Sequence, residues 1–369
     1  MIHIVLGTAF GDEGKGQCVH ALAHNNALVI RFSGGHQCGH TVTSKERLRH
    51  VFSQFGAGTF RGAATYISSH CTVFPIAFLN EYKALQLLNI DLPNYYVHPM
   101  ALLTTPYDLA FNRALSMITG HGTCGVGFGT TLQRNEDFYN LYVNDLKTPY
   151  VFDTKMSFIK KYYEEKVKTL NMSSQITYEN ELETAMEIWE ESLDFYRHFI
   201  TIEILDTLIP DYQDFIFEGS QGILLDQHFG FFPHVTRSNT TSHNAMEMIR
   251  SSELKDREIV THYVSRCYQT RHGNGPFPDN GLVELIDTAN ESNTENDWQG
   301  VFRTAKLDFS LIKHAIHCDR IYNPMSKKQL IFTCLDQLKE RRIFEQELAK
   351  SDLFSFVEQI AIKDRADWE

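Results

Sequence analysis

The sequence predicts an α/β fold: a central, mainly parallel sheet flanked by helices, with a helical insertion at about 154–206. Three observations carry this. First, the apolar run "IHIVL" ends at Gly7, a glycine-rich loop follows, then a helix-length stretch from Lys15 to His24, then a second apolar run, "ALVIRFSGG". Strand, loop, helix, strand is a βαβ unit, and its crossover sets the two strands parallel. Second, further apolar runs occur in "YISSHCTVF", "DFIFEGSQG", "IVTHYVSRCYQTR" and "QLIFTCLDQL", and each ends in glycine or polar residues. Loops gathered in this way belong to the C-terminal edge of a parallel sheet, where α/β enzymes place their sites. Third, "ELETAMEIWEESLDFYRHF" sets Leu182, Met186, Trp189, Leu193 and Tyr196 at three- and four-residue steps, an amphipathic helix with an acidic outer face. With no low-complexity linker or repeat, residues 1–369 read as one continuous domain carrying that insertion.

Bulk composition excludes several function classes. The 369 residues carry a net charge of −12, so a general DNA or RNA binder is not expected, because phosphate neutralisation needs a basic face. A small phosphorylated ligand stays compatible, since a few local donors hold it. The seven cysteines form no Cys-x-x-Cys pair, which favours reduced thiols in a cytoplasmic protein over zinc or a redox motif. No signal peptide is read at the N-terminus, and no apolar window is long enough for a membrane span.

The chemistry concentrates in the loops. "GTAFGDEGKGQ", Gly7 to Gln17, resembles a phosphate loop, but Lys15 is followed by Gly16 where a Walker loop needs Ser or Thr. Backbone N–H groups of such a turn bind anions, and Lys15 adds a charge suited to phosphate. Asp12 suits a Mg²⁺ ligand, a proton acceptor, or both. "FSGGHQCGHTV" places His36 and His40 near a second glycine turn. "FEGSQGILLDQHFGFFPHVTRSNTT" is a long loop rich in amides and hydroxyls, and "YQTRHGNGPFP" is a rigid Gly/Pro loop with one arginine.

Together these four stretches, in this order between residues 4 and 308, resemble the adenylosuccinate synthetase family, whose pattern reads GDEGKGK, GGHNAGHT, FEGAQGxLLD with VTSSNTT, and YxTRxGxGPFP. The resemblance implies a P-loop-NTPase-like sheet and a C–N ligase. In that chemistry a carboxylate takes the N1 proton of a 6-oxopurine nucleotide. The 6-oxyanion then attacks the γ-phosphate of a nucleoside triphosphate, and L-aspartate displaces the 6-phosphate. By position the base is Asp12 and the acid His40. Gly11, Gly14, Lys15, Gly16 and Thr41 cradle the triphosphate, and Asp336 of "FTCLD" reads its base. Mg²⁺ is held by Asp12 and the Gly39 carbonyl. Gln37, Thr123, Cys124, Gln221 and Thr236 contact the purine monophosphate, while Arg303 and Thr304 grip aspartate. Members are homodimers in which a neighbouring subunit's arginine completes the nucleotide site, and Arg134 of "TTLQRNED" is the candidate. The chemistry fits independently: a lactam N–H is a weak acid, and a positioned carboxylate beside a cation makes its removal feasible.

The departures bear on the substrate. Gln37 replaces an asparagine of the pattern, Val126 an arginine, and Cys334 the lysine that packs on guanine. The arginine-rich aspartate loop is reduced to "WQGVFRTAKLD". These changes point to a phage-encoded branch that joins L-aspartate to dGMP with ATP, en route to 2-aminoadenine DNA. Retained Asp12 argues for the runner-up, IMP with GTP. A plain P-loop NTPase is disfavoured by Gly16, and a regulator that has lost catalysis by the presence of both Asp12 and His40.

Overall fold

The computed structural model describes residues 1–119, 124–278, 280–286 and 301–364. Its centre is a nine-stranded sheet. In chain order the strands are β1 (Ile2–Gly7), β2 (Ala27–Arg31), β3 (Ala64–Ile67), β4 (Tyr95–Val97), β5 (Thr201–Ile202), β6 (Asp214–Gly222), β7 (Ile259–Arg266), β8 (Lys327–Thr333) and β9 (Gln359–Ile362). Their spatial order is β9-β8-β7-β1-β6-β2-β3-β4-β5. Every neighbouring pair is parallel. The apolar runs seen in the sequence are these strands, and they are continuous because the sheet is buried on both faces. Leu28 and Ile30 of β2 enter one core with Phe215 and Phe217, while Val29 enters the other with Val5 and Ile216.

The first βαβ unit forms as expected, with α1 over Lys15–Leu22. The helical insertion is longer than the sequence indicated. Between β4 and β5 lie α3 (Pro106–Thr119), α4 (Phe128–Glu136), α5 (Pro149–Val167) and α6 (Met172–Phe199), while α2 (Pro75–Leu87) precedes β4. α6 packs on both α2 and α3, which draws residues from 106 onward into the same layer. Trp189, Leu193 and Tyr196 are buried along α6 as the spacing predicts, but Met186 is exposed and Ala185 takes its place inside. The stripe drifts because 3.6 residues per turn do not repeat every seven. Two antiparallel hairpins, His40–Thr43 with Arg49–Phe52 and Tyr268–His272 with Phe302–Lys306, follow the C-terminal ends of β2 and β7. No described helix is long and apolar enough to cross a membrane.

Candidate active site

The loops after β1, β2, β6 and β7 close around one cavity of about 680 Å³ at the C-terminal edge of the sheet. The loop between β1 and α1 is shaped by Glu13. Its buried carboxylate accepts the N–H groups of Ala9 and Gly11, both at 3.0 Å, and pairs with the Lys15 ammonium at 2.5 Å. Gly7 is required there, since a Cβ on it would fall 2.3 Å from the Glu13 carboxylate. Lys15 does line the cavity, but its charge is shared with Glu13 rather than free for a phosphate alone. Gly16 likewise has a steric reason: its Cβ would stand 2.7 Å from that of His40. The position where a Walker loop carries a hydroxyl is therefore occupied by the approach of a histidine.

Asp12 holds a left-handed backbone, φ 65, and lines the cavity. Its carboxylate has no hydrogen-bond partner among the described residues. Burial pushes its pKa up, and the Arg266 guanidinium, which donates from Nε to the Asp12 carbonyl at 2.5 Å, only partly opposes this. His40 is buried, with Nδ1 2.5 Å from Glu218 Oε1, while Nε2 has no partner among the described residues. Glu218 lies wholly inside β6, and its other oxygen accepts the Ala57 N–H. Burial lowers the His40 pKa against the pull of Glu218. Burial acts on Glu218 in the opposite sense, but His40 and Arg31 outweigh it and hold the carboxylate ionised. The resting pair is a carboxylate accepting from a neutral imidazole at Nδ1, which leaves Nε2 as the unpartnered nitrogen of a residue that lines the cavity.

Gln37 and Gln221 supply amides. Both polar atoms of Gln37 and Oε1 of Gln221 are buried without partners among the described residues, and both residues line the cavity. Gln221 also adopts positive φ, 52, a conformation found at sites where the fold over-determines the backbone. Gly11, Gly14, Gly39, Thr41, Cys124 and Thr236 complete the predicted residues that the cavity gathers.

Four predicted residues lie elsewhere. Asp336, in the turn after β8, accepts from Gln337 Nε2 at 2.7 Å and does not line the cavity. Arg303 donates to the carbonyls of Gly273 and Gly275 and lies over the Phe277 ring at 5.1 Å, with Thr304 beside it in the same strand. Arg303 therefore reaches the cavity through Gly273, which lines it. Thr123 falls outside the described residues. Arg134 corrects the sequence reading. It is fully buried, paired with Asp108 at 2.8 Å, and donates to the Leu103 and Tyr139 carbonyls, so it has no surface to offer a neighbouring subunit.

Sequence reasoning assigned no role to Glu218, Arg266, Arg271 and Asn112. Glu218 and Arg271 stood within the quoted motifs, and the signal was a charge inside an apolar strand or a rigid turn. Arg271 stacks on Phe10 at 4.3 Å and donates to the Asn274, Pro276 and His234 carbonyls, binding two loops together. Burial, with Arg303 nearby, lowers its pKa to about 10.

A parallel α/β sheet with a glycine-rich loop after its first strand and a polar cavity at its C-terminal edge defines an α/β protein of the open, parallel-sheet class. Residues 4–343 match the adenylosuccinate synthetase family, and the chain belongs to it. The adenylosuccinate synthetase of Buchnera aphidicola is 30% identical over 290 residues, covering 77% of this chain and 65% of that protein. That of Thermoplasma volcanium is 27% identical over 325 residues, 86% of this chain and 73% of that protein. The chain thus spans just under two thirds of the length of the Buchnera enzyme. Among solved structures, the fully ligated adenylosuccinate synthetase of Plasmodium falciparum has a TM-score of 0.67 at 19% identity, covering 90% of this chain and 77% of that one. The cyanophage S-2L succinoaminodeoxyadenylate synthetase (PurZ), bound to dGMP and to dATP as energy donor, has a TM-score of 0.63 at 15% identity. It covers 99% of this chain, which spans 94% of the cyanophage protein. Both share the fold.

Proposed function

We propose that this chain joins L-aspartate to the 6-position of a purine nucleoside monophosphate at the cost of a nucleoside triphosphate, with dGMP as acceptor and ATP as donor. One observation carries the reading. Asp12, His40, Gln37 and Gln221 line a single cavity, and His40 Nε2, both polar atoms of Gln37 and Oε1 of Gln221 are buried without a partner among the described residues. Buried polar groups are otherwise hydrogen-bonded, so such a set is complementary to a polar ligand. Asp12, its pKa raised by burial, is a stronger base than an ordinary carboxylate and takes the N1 proton. The freed 6-oxygen attacks the γ-phosphorus and the nucleoside diphosphate leaves. The amine of L-aspartate then adds at C6, phosphate departs, and the amine loses its protons. His40 meets the reacting oxygens through Nε2, and Glu218 stabilises the imidazolium when it takes up a proton.

The donor set also fits Mg²⁺. It offers a carboxylate from Asp12 and a carbonyl from Gly39, both on the cavity wall, and no cluster of three acidic, histidine or cysteine ligands occurs among the described residues. Mg²⁺ is commonly held this way, by few protein oxygens and the substrate phosphates, and it would supply charge neutralisation during phosphoryl transfer.

Gln37 and Cys334 support dGMP and ATP, as does the near end-to-end correspondence with the cyanophage protein solved with dGMP and dATP. IMP with GTP is the second reading, favoured by Asp12 and by the curated relatives, which are adenylosuccinate synthetases. Turnover with L-aspartate and Mg²⁺, crossing IMP, GMP and dGMP against ATP and GTP, decides between them. Turnover with IMP and GTP alone would overturn the first. The chain is expected to act as a homodimer in the cytoplasm of its host.

A further inference from the structure

We propose that Arg237 binds the phosphate of the purine monophosphate, supplied in cis by the loop that carries Thr236. The proposal rests on the reading above that such a nucleotide occupies the cavity. Arg237 lines the cavity. Its guanidinium is clamped along one edge: Nη1 donates to Gln133 Oε1 at 3.0 Å, and Nη2 to Glu136 Oε2 at 2.6 Å. Gly129, Gln133 and Glu136 stand at four- and three-residue steps, hence on one face of α4. Gly129 also lines the cavity, and a Cβ there would meet open space. The arginine, with 42% of its side chain exposed, therefore lies beside the helix face that carries Gly129. Its remaining N–H donors have no acceptor among the described residues.

Asn112 lines the same cavity from the other end of α4. It is 7% exposed, and its Oδ1 accepts the Gly127 N–H at the start of that helix, at 3.1 Å. Its Nδ2 has no partner among the described residues. Arg237 is held at Gln133 and Glu136, toward the C-terminal end of α4, so the phosphate contact falls to its guanidinium, which is planar and matches the oxygens of a phosphate monoester as a fork. The other cavity arginines donate to backbone carbonyls or a tyrosine hydroxyl, and Arg134 is committed to Asp108.

The test uses the full chain and isothermal titration of dGMP, deoxyguanosine and ATP with Mg²⁺ against wild type, R237A and R237K. R237A is expected to weaken dGMP binding about 10- to 100-fold. Deoxyguanosine and ATP should stay within about twofold, and R237K should fall between wild type and R237A. Equal loss for dGMP and deoxyguanosine would reduce Arg237 to a tether between the loop and α4. Loss confined to ATP would place it on the triphosphate, and no loss would end the proposal. If wild type binds IMP instead of dGMP, the base reading fails, and the same comparison of IMP with inosine still decides Arg237.

Discussion

At Asp12, the base of the proposed reaction, function and stability are expected to oppose each other. A carboxyl whose folded pKa is raised favours folding only at pH below its ordinary value. As pH rises, the ionised form is penalised by burial, so the contribution is lost and becomes unfavourable. Asp12→Asn removes that penalty. Turnover should fall by about 10²- to 10⁴-fold, the usual range for loss of a general base. At pH 7 to 8 the melting temperature should rise by about 1–3 °C relative to wild type, and the gain should vanish near pH 4. A calorimetric pH series checks this, and a less stable Asn variant at pH 8 would refute the strained-carboxylate account. Glu218 makes the complementary case. Replacing it with Gln removes the charge that balances His40, and kcat should drop about 10- to 100-fold. The pH profile should move as well, because an imidazolium without its carboxylate forms only at lower pH. The placement of Asp12 and His40 on one cavity was legible in the sequence because their motifs are local. The role of Glu218 was not, since the partner that defines it lies 178 residues away.

At the scale of elements, Asp108 organises the helical layer. From α3 it receives Arg134 of α4 at 2.8 Å, Tyr163 of α5 at 2.7 Å, and the Thr105 N–H and hydroxyl, both at 2.8 Å. Arg134 is thus a fastener between helices. Arg134→Ala strands a buried carboxylate and should destabilise the protein by about 3–5 kcal/mol. Arg134→Met with Asp108→Asn should recover much of that loss. Affinity for the purine monophosphate should change little in the double variant, measured by titration. A specific loss of nucleotide affinity there would return Arg134 to the site. This is also where sequence reading reached its limit. The parallel strands declared themselves because burial on both faces leaves unbroken apolar runs. "TTLQRNED" reads the same whether its arginine points to solvent or into a helix bundle, and only the docking of α3, α5 and α6 decides.

For the whole molecule, the C-terminal edge of the sheet was foreseeable as the site, because each apolar run ended in a polar or glycine-rich loop. The walls between those loops were not, since Asn112 and Arg237 enter from the insertion and from a turn whose partners lie about a hundred residues upstream. One consequence concerns how ligands act on global stability. The described residues hold no cluster of three His, Cys, Asp or Glu side chains that would cage Mg²⁺, so the cation and the triphosphate should bind as a unit. Mg²⁺ alone, or EDTA, should leave the melting temperature of the unliganded chain unchanged. Mg²⁺ with ATP at about a hundredfold above its dissociation constant should add about 2.7 kcal/mol of stability through binding to the folded state alone. EDTA should then erase most of that gain. A chain stabilised by Mg²⁺ without nucleotide would instead hold a preformed cage, which contradicts the donor set around Asp12 and Gly39. Repeating the melt with GTP, dGMP and IMP ranks the ligands by the stability each confers, and so reads the specificity of the folded molecule without any turnover.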